Sequence, residues 1–506
     1  MSRLVVVAGL AAVVFLPGCA PTGGQDALDN QAPTADFTFE QGGTGSSGQV
    51  VSFDGSGSSD PDGRVNSYVW SFGDGSSALG AEVLHIYQTL SVFQVTLTVT
   101  DNLGATDTKT RTVNTSVPVG SAKWSFPMAE GTDAAGGRPA IGPDDTIYVT
   151  APQTLGGARL YAINRDGTQR WVYEELANGA GNGLSDPVIS KGTETVYVTY
   201  VRGSDQRGGV IAFSFEGAVK WAYTNPHDVV ALPGSLTLSY TRFVPEDSLY
   251  FTTPASVGSA LLARINKIDS DGSARWTAES GTELAALALG GGGDLYVVNG
   301  AGVFAFTADG ALAWEFAYTN GTPTGTISVG ASETVYVGYA EPDHLLAIGR
   351  DSTGARIAAW TVAGRPGPPV VGEDGSLYGA ASAVGIRSLA SEDGSVLWTY
   401  NASAGPYPVG VLDDGTLLGR INYALVALDE DGRELWQFDR AQNFGAAAVA
   451  SDGTIYVVGV PETGSGTGVL GGQSVLYALQ GPAYLASTVW PHPRHDNCNT
   501  GWFNGP

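Results

Sequence analysis

The sequence predicts an all-β protein, a strand-rich N-terminal domain followed by an eight-bladed β-propeller, and three observations carry that prediction. The 506 residues include 71 Gly and 26 Pro, a load that, with abundant Val, Thr and Tyr, favours short strands and tight turns over helices. The decapeptide "AINRDGTQRW" at 162–171 returns as "ALDEDGRELW" at 427–436, and related segments end on Trp124, Trp171, Trp221, Trp276, Trp314, Trp360, Trp398 and Trp436. A second series, offset from the first, places Tyr148, Tyr197, Tyr250, Tyr296, Tyr336, Tyr378, Leu418 and Tyr456 in equivalent slots. Two series of eight at a near-constant period define a repeat architecture.

Each repeat reads as four strands. An apolar strand such as "RPAIG" meets an Asp/Gly turn, then "TIYVT", a variable loop, "LYAIN", a second "DG" turn and the strand that carries the tryptophan. Asp-Gly turns between apolar runs favour hairpins, because the positive φ they need costs glycine little, and four antiparallel strands at this period make a propeller blade. The two series do not start together: Trp124 precedes the first tyrosine strand, and the last one, at Tyr456, is followed by no "DG"-Trp strand. Residues 121–127 are therefore expected to supply the outer strand of the last blade, "AKWSF" pairing with the strand of Tyr477, which removes the open sheet edge.

Ahead of the repeats, Phe93, Val95, Leu97 and Val99 alternate with Gln and Thr, the period of a half-buried strand. "DPDG" at 60–63 and "GDG" at 73–75 are turn chemistry. With "SDPDG", "WSFGDG" and "LTVTDN", residues 32–117 resemble a PKD domain, which implies an immunoglobulin-like sandwich with Trp70 in its core and His85 as a packed core histidine. "GTGSSG" at 43–48 opens no helix and is a loop rather than a nucleotide site.

From 121 to 506 the repeats resemble the PQQ-like, or quinoprotein-dehydrogenase-like, propellers. The pattern A-x-D-x-x-G-x-x-x-W resembles that family's docking motif, which implies that each tryptophan packs between neighbouring blades. The tail "WPHPRHDNCNTG" resembles a terminal motif of exported members. Fold does not carry function. The quinone enzymes of this family hold their cofactor beside a vicinal disulfide, whereas this chain has only Cys19 and Cys498. Neither calcium ligands nor a catalytic aspartate transfer residue by residue, so no cofactor is expected. "DSDG" and "DEDG" resemble the start of a calcium loop but lack its distal Glu, and "SDGTIYV" is near the sialidase Asp-box, itself a structural turn. His492, His495, Asp496 and Cys498 have the atom types of a zinc site; lying in the family-like tail, they are read as fixing the terminus, and no metal site is assigned.

The first residues, "MSRLVVVAGLAAVVFLPGCAPTGG", form an export signal over 1–18. Leu16-Pro17-Gly18-Cys19 resembles the bacterial lipobox, implying cleavage before Cys19 and lipid on its thiol; an uncleaved anchor or an ordinary signal peptide is the alternative. No Asp follows Cys19, which favours the outer membrane. Residues 19–31 read as a tether. The net charge of −25 repels phosphate backbones, so no nucleic-acid partner is expected.

In an antiparallel blade, the connections between second and third strands and between blades emerge on one face. These are the connections that vary: "EELANGAGNGLSD", "NPHDVVALPGS", "VRGSDQRGG", "PETGSGTGVLGGQ". Variation on one face of a rigid scaffold is where binding resides. Arg138, Tyr240, Arg242, Arg365, Tyr407 and Phe444 are the candidate ligand contacts. The expected role is non-catalytic binding or scaffolding at the cell envelope, of protein or polysaccharide. The rivals are a polysaccharide lyase or hydrolase with its site in the funnel, and an outer-membrane protein assembly factor, whose pattern lacks a PKD insert. Three or more carboxylates or a His–Tyr pair in the funnel would mark the enzyme; an apolar, glycine-lined funnel would mark the binder.

Overall fold

A computed structural model of the protein describes residues 30–482 apart from short internal stretches, the longest being 129–136, 175–182, 226–235, 240–247 and 462–473. The lipobox cysteine, the tether up to residue 29 and the tail beyond 482 lie outside the described residues.

The period-two strand Val92–Asp101 buries Phe93, Val95, Leu97 and Val99 as its alternation predicts. It lies in a four-stranded sheet in the order Ser77–Leu79, Val65–Ser71, Val92–Asp101, Thr106–Asn114, while Thr38–Gly45, Gly48–Asp54 and Glu82–Tyr87 form a second sheet. Trp70 is fully buried, edge-on to Phe37 at 5.0 Å, and its indole N–H donates to the Gly80 carbonyl at 2.8 Å, so its one polar atom is satisfied. His85 stacks on Phe72 at 4.1 Å and bonds the Asp74 carboxylate at 2.7 Å.

That pair makes the domain acid-sensitive. Burial works against the charged Asp74 carboxylate, but hydrogen bonds from Ser76 and His85 outweigh it and hold the carboxyl down at about 2. A carboxyl whose folded pKa lies below its unfolded value stabilises the fold above the unfolded pKa, near 3.8, and loses that contribution as pH falls toward 2. Asp74→Asn should flatten the fall in the sandwich's melting temperature over that interval. An unchanged pH profile would show that Asp74 contributes nothing through its charge.

The remaining chain forms eight further sheets of four or five strands. The first runs Ala140–Ile141, Ile147–Pro152, Ala158–Ile163, Gln169–Tyr173, each strand antiparallel to the next. First strands of successive sheets lie side by side: Ala140–Ile141 by Val188–Ser190, then Leu236–Ser239, Leu284–Leu289 and Thr322–Val329. Ala448–Val449 of the last sheet returns to Ala140–Ile141. The ring closes as the offset of the two series predicts. Ala122–Pro127 pairs with Val475–Leu479, Ser125 opposite Tyr477 and Trp124 opposite Ala478.

One row of side chains explains the repeat. In the first sheet Tyr148, Ala162 and Trp171 stand opposite one another on three adjacent strands. The small middle residue lets the outer rings meet above it, 5.8 Å apart. Tyr456, Ala478 and Trp124 repeat the row in the closing sheet, with rings 5.7 Å apart. Each ring then docks on the next sheet. A Cβ at Gly167 would fall 2.8 Å from the Trp124 ring, and one at Gly217 would fall 2.7 Å from Trp171. The indole N–H groups donate to carbonyls of the same turns, Trp124 to Arg165 at 3.0 Å and Trp171 to Phe215 at 2.8 Å. Trp436, last of the series, meets Gly120, just ahead of the closing strand.

Trp314 departs from the expected pattern. The turn it faces, Asp351–Arg356, is one residue longer, so nothing lies within 4 Å of a Cβ at Gly354. The Arg356 guanidinium covers the indole instead, 4.5 Å from the ring centroid, and the Trp314 N–H is buried without a partner.

Candidate functional site: the variable-loop face of the propeller

Two kinds of edge bound the eight sheets. On one, short hairpin turns are tied by their own aspartates. Asp166 accepts from the Thr168 amide at 3.0 Å, Asp271 from Ser273 at 2.8 Å and Asp452 from Thr454 at 2.9 Å. The "DSDG" and "SDGT" segments are therefore turns, as their recurrence predicts. The same edge carries a clamp at the ring closure. Asp452 bonds Arg165 of the first sheet and faces Lys123 of the closing strand at 3.7 Å, and Lys123 also donates to Thr454 at 2.6 Å. Burial opposes the Asp452 charge, yet Lys123 and Thr454 hold the carboxyl below its ordinary value.

The opposite edge carries the connections that vary. Arg138 enters the first sheet there; its amide donates to Asp186 Oδ1 at 2.9 Å, and its Nε lies 3.8 Å from Asp186 Oδ2, on the connection into the second sheet. Its partly exposed guanidinium stands at the junction of two blades. Arg159 with Glu174 at 3.0 Å, and Arg264 with Glu279 at 3.3 Å, repeat such pairs on this face. Tyr407 opens the strand Tyr407–Val411, opposite Arg420. Tyr240, Arg242 and Arg365 lie outside the described residues.

Phe444 corrects an expectation. It is not presented to a ligand: the side chain is fully buried against Phe438, 5.8 Å between centroids, in a space that the missing Cβ of Gly459 leaves open. Arg420, absent from the sequence candidates, donates to the Phe444 carbonyl at 3.0 Å and tethers this connection. No spacing in the sequence marks that long-range contact.

A His–Tyr pair exists, away from the funnel. His344, which opens the third strand of its sheet, bonds the Tyr318 hydroxyl at 2.8 Å through Nε2 and the Pro342 carbonyl at 2.6 Å through Nδ1. It is 6% exposed and stacks on Tyr339, whose phenol burial pushes up. Tyr339 and Tyr318 belong to the apolar layer between neighbouring sheets. The first strands, which line the centre of the ring, are Ala140–Ile141, Val188–Ser190, Leu236–Ser239, Leu284–Leu289, Thr322–Val329, Val370–Val371, Tyr407–Val411 and Ala448–Val449; among these described residues stands no Asp, Glu, Lys, Arg or His.

In the sandwich Asp60, Asp62 and Asp101 come together, an arrangement the sequence reading did not single out. Burial pushes the Asp60 carboxyl up, and the neighbouring carboxylates add to this. Burial also opposes the Asp101 charge, but the Asn30 amide at 2.6 Å and the backbone amides of Leu103 and Ala105 hold that carboxyl down.

An immunoglobulin-like sandwich ahead of a ring of four-stranded sheets with docked tryptophans defines a PKD domain followed by a PQQ-like propeller. The PKD domain family matches residues 30–117. The chain belongs to the family described as outer membrane protein assembly factor BamB, which matches residues 109–264 and 382–480, half of its length. A microbial collagenase of Vibrio alginolyticus is 31% identical over 161 residues, 31% of this chain and 20% of the collagenase. The chain spans a fifth or less of the length of the curated relatives it matches. Among solved structures, BamB from Moraxella catarrhalis is 14% identical with a TM-score of 0.47, covering 71% of this chain and 97% of that one. A streptogramin B lyase is 11% identical with a TM-score of 0.42, covering 70% and 97%.

Proposed function

We propose that the protein is a lipid-anchored, non-catalytic scaffold of the cell envelope. Cys19 holds it at the outer membrane, and the variable-loop face of the propeller contacts envelope protein or polysaccharide. The observation that carries this reading is the composition of the first strands. Acid–base chemistry on a glycan needs paired carboxylates or a positioned histidine, and the described strands at the centre of the ring offer neither. The ionisable groups of the loop face are engaged in pairs such as Arg138 with Asp186, which position side chains at blade junctions. The relation to an assembly factor supports a narrower form of the same reading, a part in outer-membrane protein assembly; the added sandwich favours the broader scaffold role.

The anchor is tested by fractionation. Acyl chains on Cys19 supply the attachment, and no helix of the described residues is long and apolar enough to cross a membrane. Cys19→Ala should move the chain from the membrane pellet to the soluble fraction, or leave it unprocessed with its signal attached. Processing of the natural chain that resists globomycin would contradict lipidation.

A further inference from the structure

The third sheet of the propeller is built unlike its neighbours. Its middle strands, Ser248–Val257 and Ala260–Asp269, have 10 residues each, where Leu295–Asn299 and Gly302–Phe306 of the next sheet have 5. Pairing with the first strand, Leu236–Ser239, ends at Phe251, and pairing with the outer strand, Ala274–Ser280, begins at Ala263. Between those limits the two strands pair only with each other among the described residues, Ala255 opposite Leu262 and Val257 opposite Ala260. The run beyond Phe251 extends as a two-stranded ribbon for about 20 Å, on the face of the variable loops. Its root is fixed by buried Asn266, which accepts from Thr277 at 3.2 Å and from Asn225 of the neighbouring sheet at 3.4 Å, and donates to the Phe251 carbonyl at 3.5 Å.

The ribbon, "TTPASVGSALLA" over 252–263, holds no charged residue in a chain of net charge −25. The register places Ala255, Val257, Ala260 and Leu262 on one face, and Pro254, Leu261 and Ala263 with Ser256 on the other. A strand that rests on a surface alternates apolar and polar; a run apolar on both faces suits cover on both. A lone two-stranded hairpin is marginal in water, and its outward N–H and C=O groups are a template for a further strand. A bilayer would cover both faces but leave those backbone groups unpaired. A second copy of the ribbon would pair an edge but leave both faces bare. A protein cleft with an open sheet edge satisfies both demands, and an uncharged tip matches an uncharged cleft on an otherwise acidic molecule.

We propose that the ribbon Thr252–Ala263 is the element that engages a partner protein, entering an apolar cleft and pairing its outer edge with a strand of that partner. This rests on the loop face being the binding surface. The test uses the full chain in its own envelope, with a benzophenone amino acid in place of Val257, Leu261 or, on the same face, Asn320. Val257 and Leu261 should give adducts with one and the same protein. In the isolated complex the amides of Thr252–Val257 should exchange more slowly than in the free chain. Leu262→Asp, which leaves the melting temperature unchanged because only ribbon pairs with ribbon there, should abolish the adducts. Adducts with lipid or with a second copy would overturn the proposal, as would adducts that survive Leu262→Asp or amides without protection. Capture from Asn320 with none from the ribbon would refute the ribbon while leaving the binding face intact, and silence at all three positions would refute both.

Discussion

Deleting residues 20–117 should leave a folded propeller, whereas extending the deletion through Phe126 should lower its melting temperature sharply or drive it to aggregate. The shorter deletion removes the sandwich, a domain with its own buried core around Trp70. The longer one removes Ala122–Pro127, the outer strand of the closing sheet, and exposes Val475–Leu479 as an edge. It also removes the Trp124 ring from Tyr456 and from the Gly167 turn, and Lys123 from Asp452 and Thr454. Trp→Ala changes in cores cost about 3–5 kcal/mol; Trp124 is only half-buried, so its share falls toward the lower end, and the lost strand adds to it. Thermal melts and gel filtration of the two truncated chains measure the difference. Equal melting temperatures and equal solubility would show that the ring does not depend on its N-terminal strand.

The second large effect is expected at the docking turns, where two glycines separate packing from backbone strain. Gly432 has φ +78°, and a Cβ there would fall 2.6 Å from the Trp398 ring. Gly354 has φ +84° with nothing within 4 Å. An L-residue in this conformation costs about 1–2 kcal/mol wherever it occurs. Forcing a packed aromatic aside costs a further 1–3 kcal/mol or so. Gly432→Ala should therefore destabilise the propeller by roughly twice as much as Gly354→Ala. Denaturant unfolding of both variants reads this directly; identical losses would mean that the docked ring yields without penalty.

Much of this architecture is legible in the sequence because its determinants are local and repeated. An Asp-Gly turn dictates a hairpin by its own backbone, and a tryptophan a fixed number of residues later inherits its register from that hairpin. The early Trp124 and the missing last tryptophan strand are enough to imply the closing pair that Ala478 and Trp124 make. What is not legible depends on contacts between distant segments. In "RAQNFGAAAV" Phe444 looks like an exposed loop aromatic, and only the space beside Gly459 makes it a core residue. Trp314 matches its motif, yet one extra residue in a turn of the next sheet replaces its glycine with Arg356. His344 and Tyr318 belong to different sheets, and nothing in their spacing announces a bond at 2.8 Å. The ribbon of the third sheet is composed like a buried strand, and only the point where its neighbours stop pairing reveals that it projects.

The account's central claim is that the loop face, rather than the turn face, is occupied in the envelope. Single cysteines at Asn320, on the loop face, and Ser352, in a turn of the opposite face, test it in a Cys498→Ser background, since both positions are exposed in the isolated molecule. Labelled in intact envelopes with a membrane-permeant maleimide and compared with purified chain, the cysteine at 320 should be shielded and the one at 352 should react at its free rate. Equal reactivity at the two positions, or shielding at 352 alone, would contradict the claim.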